Sequence, residues 1–148
     1  MFFHSLYQWA SLLALFLATG AALWRGGWPE RLAAGGMIAA WVATALFQNG
    51  VQLWGPQSGV MIIDSALLAL LVFIALRSNR WWPMWACGFH AMSVVLHLTV
   101  IIDPKVWGRA YFVAIGAFSY LALAALFFGA MTTPSQGKRT PPPGAVGP

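Results

Sequence analysis

Between Phe3 and Met131, long apolar runs alternate with short joins, and the joins carry nearly all of the charge. A membrane-spanning helix needs about 17–25 mainly apolar residues. Five runs meet or approach that length: Phe3–Trp24, Leu32–Phe47 (extendable to Gly50), Val60–Leu76, Trp81–Ile102 and Ala110–Met131. The joins read "RGGWPER", "QNGVQLWGPQSG", "RSNR" and "DPKVWGR". The second and third runs lie near the lower length limit. The pattern predicts an all-α fold, a polytopic membrane bundle of about five transmembrane helices, with residues 1–131 as one domain.

Composition supports this. The chain is 60% hydrophobic and 7% charged, against about 45–50% and about 25% in soluble domains. So few charges cannot cover a water-facing surface, so the lipid bilayer is the expected solvent and first partner. The net charge of +5 does not point to nucleic acid. Basic residues come in pairs between apolar runs, not as a stripe with interleaved aromatics.

In a membrane chain, Lys and Arg mark the cytoplasmic side. Arg25, Arg31, Arg77, Arg80, Lys138 and Arg139 share one side, and Lys105 and Arg109 the other. This asymmetry predicts an outside N-terminus and a cytoplasmic C-terminus. Arg25, Arg31, Arg77, Arg80, Trp81 and Trp82 are the expected inner-face anchors, joined by Trp24, Trp28 and Trp85. Trp54 and Trp107 mark the outer face, because amphipathic rings suit both interfaces.

The first run lacks a positive leader and is too long for a signal peptide, so it is expected as a retained helix. Residues 132–148 are rich in Pro and Gly and have little to bury, which predicts a disordered cytoplasmic tail. "RGGWPE" and "RWWPMW" each set an arginine closely ahead of a Trp-Pro pair on the same side. Proline suits the first helical turn, so helices two and four are expected to start alike.

Helices in lipid associate through close approach of small residues. Such rows run through Ala10, Ala14, Ala18 and Ala22; through Gly35–Ala39–Ala43 and Gly36–Ala40–Thr44; and through Ala110–Ala114 and Ala125–Gly129. They fit a compact bundle, and they also fit docking of another membrane-protein subunit.

Three acids, three histidines and one cysteine are all the chain offers for catalysis or metal binding. Cys87 is alone and cannot form an internal disulfide. An ionisable residue inside a membrane is a functional candidate by default. Asp64 is the leading case, roughly 7 Å into the third helix at the standard rise. Folding the third and fourth helices about Asn79–Arg80 sets Asp64 level with Val94 to His97. Asp64 and His97 are therefore the expected intramembrane pair, serving either as a fixed lock or as part of a proton relay. Opposite charges favour each other while desolvation opposes both.

His4, Gln8, Gln48, Asn49 and Gln52 lie toward the same outer side, as an extended polar pocket or as helix ends meeting water. Folding the last hairpin about Lys105–Val106 brings His90 level with Ser119 and Tyr120, so a hydroxyl is its expected partner. His90 and His97 are separated by roughly 10 Å along the helix, too far to share one metal whose ligands sit at about 2 Å. Cys87 with His90 supplies two ligands and no third. Neither metal nor cofactor is expected, and no catalytic residues are identified.

The strings "DSALLALL", "ALRSNRWWPMWA", "HL" and "IDP", running from Asp64 to Pro104, resemble small uncharacterised multi-pass inner-membrane proteins of alphaproteobacteria, sphingomonads in particular. The resemblance covers roughly Leu12 to Gly129. It implies a bacterial inner-membrane location with a periplasmic N-terminus and a cytoplasmic C-terminus, and it carries no chemistry. The leading functional expectation is a non-enzymatic accessory or assembly component of a membrane complex. The alternatives are a small transporter or proton-handling protein using Asp64 and His97, and a haem or quinone binder using His97, His90 and aromatic walls.

Overall fold

The computed structural model describes residues 2–47, 58–103, 105 and 108–133, with side chains from residue 9 onward except that of residue 109. Five helices follow one another: α1 (Phe2–Arg25), α2 (Trp28–Phe47), α3 (Ser58–Arg77), α4 (Trp82–Ile102) and α5 (Arg109–Thr132). The described residues contain no strand. The all-α bundle expected from the apolar runs is what the chain forms. Among the described residues, three helices are long and apolar enough to cross a membrane: Ser58–Arg77, Trp82–Ile102 and Ala110–Thr132. Trp9–Arg25 is a shorter apolar helix. The second expected span forms a full helix, but Glu30 and Arg31 sit in its first turn.

Each helix packs on its neighbours in sequence, α5 closes back onto α1, and α2 also meets α5. Helices alternate in direction around this ring. One end therefore gathers Arg25, Arg31, Arg77 and Arg80, and is called the arginine end below. The opposite end holds the starts of α1, α3 and α5.

The joins at the arginine end are short. Gly26 N–H bonds to the Ala22 carbonyl at 3.0 Å, and Arg31 N–H to the Gly27 carbonyl at 3.1 Å. A Cβ at Gly26 would collide with the Ala22 carbonyl and the Glu30 side chain, so only glycine allows so tight a reversal here. Both α2 and α4 begin with Trp-Pro, as the two related strings predict. Proline lacks an N–H, and the first helical turn has no acceptor for one.

One stripe of α4 faces inward: Trp82, Pro83, Ala86, His90, Ser93, His97 and Val100. Their spacing of three and four residues is that of a single helix face. On α3 the inward stripe is Leu67, Leu71 and Ile74, with Asp64 one turn further on. Small residues fill much of the rest of the core, among them Ala18, Ala22, Ala33, Ala34 and Ala122, beside Leu15, Met37 and Leu126. Outward faces are apolar, with Phe16, Leu17, Ile62, Leu76 and Val113 exposed. In water such a continuous greasy surface would drive association; in lipid it is solvated.

The small-residue rows divide by use. Ala18 and Ala22 are buried, while Ala10 is exposed. Gly36 meets the Leu70 side chain of α3, but Gly35 has nothing near it and Ala39 is exposed. Gly129 on α5 lies directly against the Trp82 indole of α4. The tail from residue 134 lies outside the described residues, while Thr132 still belongs to α5 and Thr133 is buried against the bundle.

Two substitutions separate a packed glycine from an open one. Gly129→Ala should destabilise the bundle by about 1–3 kcal/mol, because the ring of Trp82 must move. Gly35→Ala should be neutral or stabilise it by up to about 1 kcal/mol through helix propensity. Thermal unfolding of both variants in one detergent checks the contrast.

Candidate functional site

Asp64 joins both buried histidines of α4. His97 Nε2 lies 3.0 Å from Asp64 Oδ2, and His90 Nε2 lies 3.0 Å from the Asp64 carbonyl oxygen. Both oxygens are acceptors, so each histidine donates through Nε2–H. Helix geometry explains how one residue reaches two partners seven positions apart. A helical side chain leans toward its own N-terminus, whereas its carbonyl points toward the C-terminus. On α3 the carboxylate therefore rises toward the opposite end to meet His97. The carbonyl descends toward the arginine end to meet His90.

The chain continues beyond His97. The Tyr111 hydroxyl of α5 lies 2.9 Å from His97 Nδ1. Tyr111, His97 and Asp64 thus form a hydrogen-bonded series across three helices. His97 and Tyr111 are 6% and 5% exposed, and the Asp64 side chain 18%. The carboxylate is the part of the series most open to its surroundings.

These groups border a cavity of about 290 Å³ lined from all five helices. Leu15 comes from α1, Met37, Trp41 and Thr44 from α2, and Val60 and Leu67 from α3. Beside the two histidines and Tyr111, α5 adds Phe112, Ile115 and Ser119. The walls are mainly apolar and the polar groups cluster on the α3–α4–α5 side.

The expected Asp64–His97 pair is present at hydrogen-bond distance. The expected partner of His90 is corrected: it bonds to the Asp64 backbone and not to Ser119 or Tyr120. Ser119 lines the cavity, and the Tyr120 hydroxyl lies 2.8 Å from Ser11 Oγ on α1. Tyr120 therefore points to the wrong side of α5 to meet α4. Gln48, Asn49, Gln52, Trp54 and Trp107 lie outside the described residues, as do the side chains of His4 and Gln8. Tyr111 is not among the expected site residues. The same hairpin folding that aligns His90 with Ser119 sets His97 within about one turn of Tyr111, so a usable signal was there.

A second polar cluster sits at the arginine end around Glu30, which is fully buried. Glu30 Oε2 accepts the Gly27 amide at 2.8 Å, as the third residue of a helix does in a capping box. Its Oε1 accepts the Trp82 indole N–H at 2.9 Å, and the Thr133 hydroxyl, 3.2 Å away, shares its one proton with the Gly129 carbonyl at 2.8 Å. Arg80 Nε adds its charge 3.7 Å from the same oxygen. One carboxylate thus ties the start of α2 to the start of α4 and the end of α5.

This corrects the role expected of Trp82. It is 1% exposed and is a core residue, not an interface anchor. Trp81, Trp24, Trp28 and Trp85 are exposed at the arginine end, as an interfacial belt requires. The Arg77 guanidinium lies over the Phe73 ring at 5.6 Å. Among the described residues, no three His, Cys, Asp or Glu side chains cluster as metal ligands.

Glu30→Ala should cost about 3–5 kcal/mol, because it strands buried donors and the Arg80 charge. Trp82→Phe, which removes one N–H and leaves Glu30 other donors, should cost about 1–3 kcal/mol. Chemical denaturation in mixed micelles measures both. Equal small losses would show that the cluster does not hold the helices together.

Comparison with protein-family models, with curated proteins and with solved structures finds no match to this chain.

Proposed function

We propose that the protein is a proton-handling protein of the bacterial inner membrane, working through Asp64, His97 and Tyr111. The observation that carries this reading is the hydrogen-bonded series Tyr111–His97–Asp64 on the wall of a cavity. Neutral His97 donates to Asp64 and accepts from the tyrosine hydroxyl. Protonated His97 donates at both nitrogens, and the hydroxyl rotates to accept, since it can do either. His97 can therefore gain or lose a proton with every heavy atom in place. Asp64 offsets the charge in the protonated state, where an unpaired cation in an apolar bundle would be costly.

The orientation follows the positive-inside rule, with the arginine end cytoplasmic, the N-terminus periplasmic and the C-terminus cytoplasmic. The cavity then lies in the periplasmic half. Glu30 and its partners close the cytoplasmic end.

Asp64→Asn tests the reading. Asparagine keeps an acceptor for His97 and removes the charge. The variant should fold with a loss of no more than about 1.5–3 kcal/mol. Wild-type protein should show a pH-dependent infrared change in carboxyl and imidazole bands that Asp64→Asn removes. Tyr111→Phe should shift that change without abolishing it. If Asp64→Asn prevents folding, the pair is a lock; if the wild-type spectrum is pH-independent, the proton reading is lost.

The accessory-subunit reading has one observation of its own. The Gly35–Ala39 row faces out of the bundle, where small residues allow close approach of another helix. Under that reading, mild-detergent purification recovers a stoichiometric membrane partner, and Gly35→Leu releases it. Recovery of the chain alone removes support from it.

A further inference from the structure

We propose that the cavity binds small lipophilic organic cations, amines or quaternary ammonium ions carrying about one aromatic ring. This shares with the preceding reading the premise that Asp64 is a working group and not a lock.

The titratable groups facing the cavity are Asp64 on α3, His90 and His97 on α4, and Tyr111 on α5. Among the described lining residues, α1 and α2 contribute none, and no Lys or Arg lines the space. With His97 in its neutral state, the charge of the cavity is a single carboxylate. His97 takes one hydrogen-bonding position on it, and a carboxylate has about four. Accepting capacity remains, and the Asp64 side chain is more exposed than the histidines behind it.

The walls supply the second half of cation recognition. Trp41, Tyr111 and Phe112 line the same space. Aromatic faces attract a desolvated cation through their quadrupole, and most strongly from tryptophan. A carboxylate alone would take a hydrated metal ion. A carboxylate among aromatic and aliphatic walls favours an organic cation, whose substituents replace water at little cost. With His97 neutral, an anion would meet Asp64 with no compensating positive side chain.

Size sets the remaining limit. The cavity of about 290 Å³ stands at the small end of ligand sites, which run from about 300 to 1,000 Å³. One ring with a compact ammonium head suits it.

The test uses the full chain in detergent, with benzyltrimethylammonium as probe. Neopentylbenzene, its neutral isostere, is the control for shape without charge. Benzenesulfonate is the control for opposite charge. Tryptophan fluorescence and calorimetry should show saturable binding of the ammonium, weaker binding of the neutral isostere, and none of the sulfonate. Asp64→Asn should weaken ammonium binding by roughly ten- to a hundredfold and leave the neutral isostere unchanged. Trp41→Leu should weaken it as well.

Equal affinity for the ammonium and its neutral isostere in wild-type protein overturns the proposal, and this comparison does not depend on any variant folding. So does sulfonate binding at the same site. A chain that shows the pH-dependent infrared change but binds no ammonium overturns this proposal alone. A chain that binds ammonium through Asp64 and shows no infrared change keeps the cation site and removes the proton reading.

Discussion

A polar side chain inside an apolar bundle has no bulk water to bond with, so its partner must come from another helix or from its own backbone. That constraint accounts for how the five helices sit together. Hydrophobic burial does not distinguish one arrangement from another when the surrounding solvent is itself hydrocarbon. The few polar groups do. Asp64, His90, His97 and Tyr111 bind α3, α4 and α5 near one end. Glu30, Trp82 and Thr133 bind α2, α4 and α5 at the other. Ser11 and Tyr120 join α1 to α5 between them.

The two carboxylate clusters differ in ways that suggest different duties. Glu30 is wholly buried, and donors from three elements converge on its two oxygens. Asp64 is partly exposed, borders a cavity and is linked to two ionisable side chains. The first arrangement is that of a clamp. The second has the parts that proton exchange or cation binding needs: a charge, reversible hydrogen-bond donors and space.

Much of this was legible in the residues. An antiparallel hairpin with a short turn is nearly a mirror, so depth on one helix can be read from the other, and Asp64 falls level with His97. The partner of His90 is not legible in the same way, because its acceptor is a backbone carbonyl, which every helical residue has and no sequence pattern marks. Tyr111 lay within a turn of the expected position but was passed over for Ser119 and Tyr120. The face of α5 that meets α4 depends on rotation about the helix axis, and an apolar helix solvated by lipid gives little periodic signal for that rotation. Glu30 carried a local sign, its position three residues after Gly27. Its distant partners carried none, since Trp82 and Thr133 are 52 and 103 residues away.

The sequence alone determined the class of molecule, the number of helices and their limits to within a turn or so, their alternating directions and the end where the arginines gather. These follow from hydropathy, length and short joins, which act locally along the chain. Only the tertiary structure decided which faces meet: that α5 closes on α1, that Trp82 turns inward to Glu30, and that Asp64 serves two histidines while bordering a cavity. Those outcomes depend on the rotation of each helix about its axis. Rotation is fixed by contacts between residues far apart in sequence, where small residues permit close approach and a handful of polar groups must find one another.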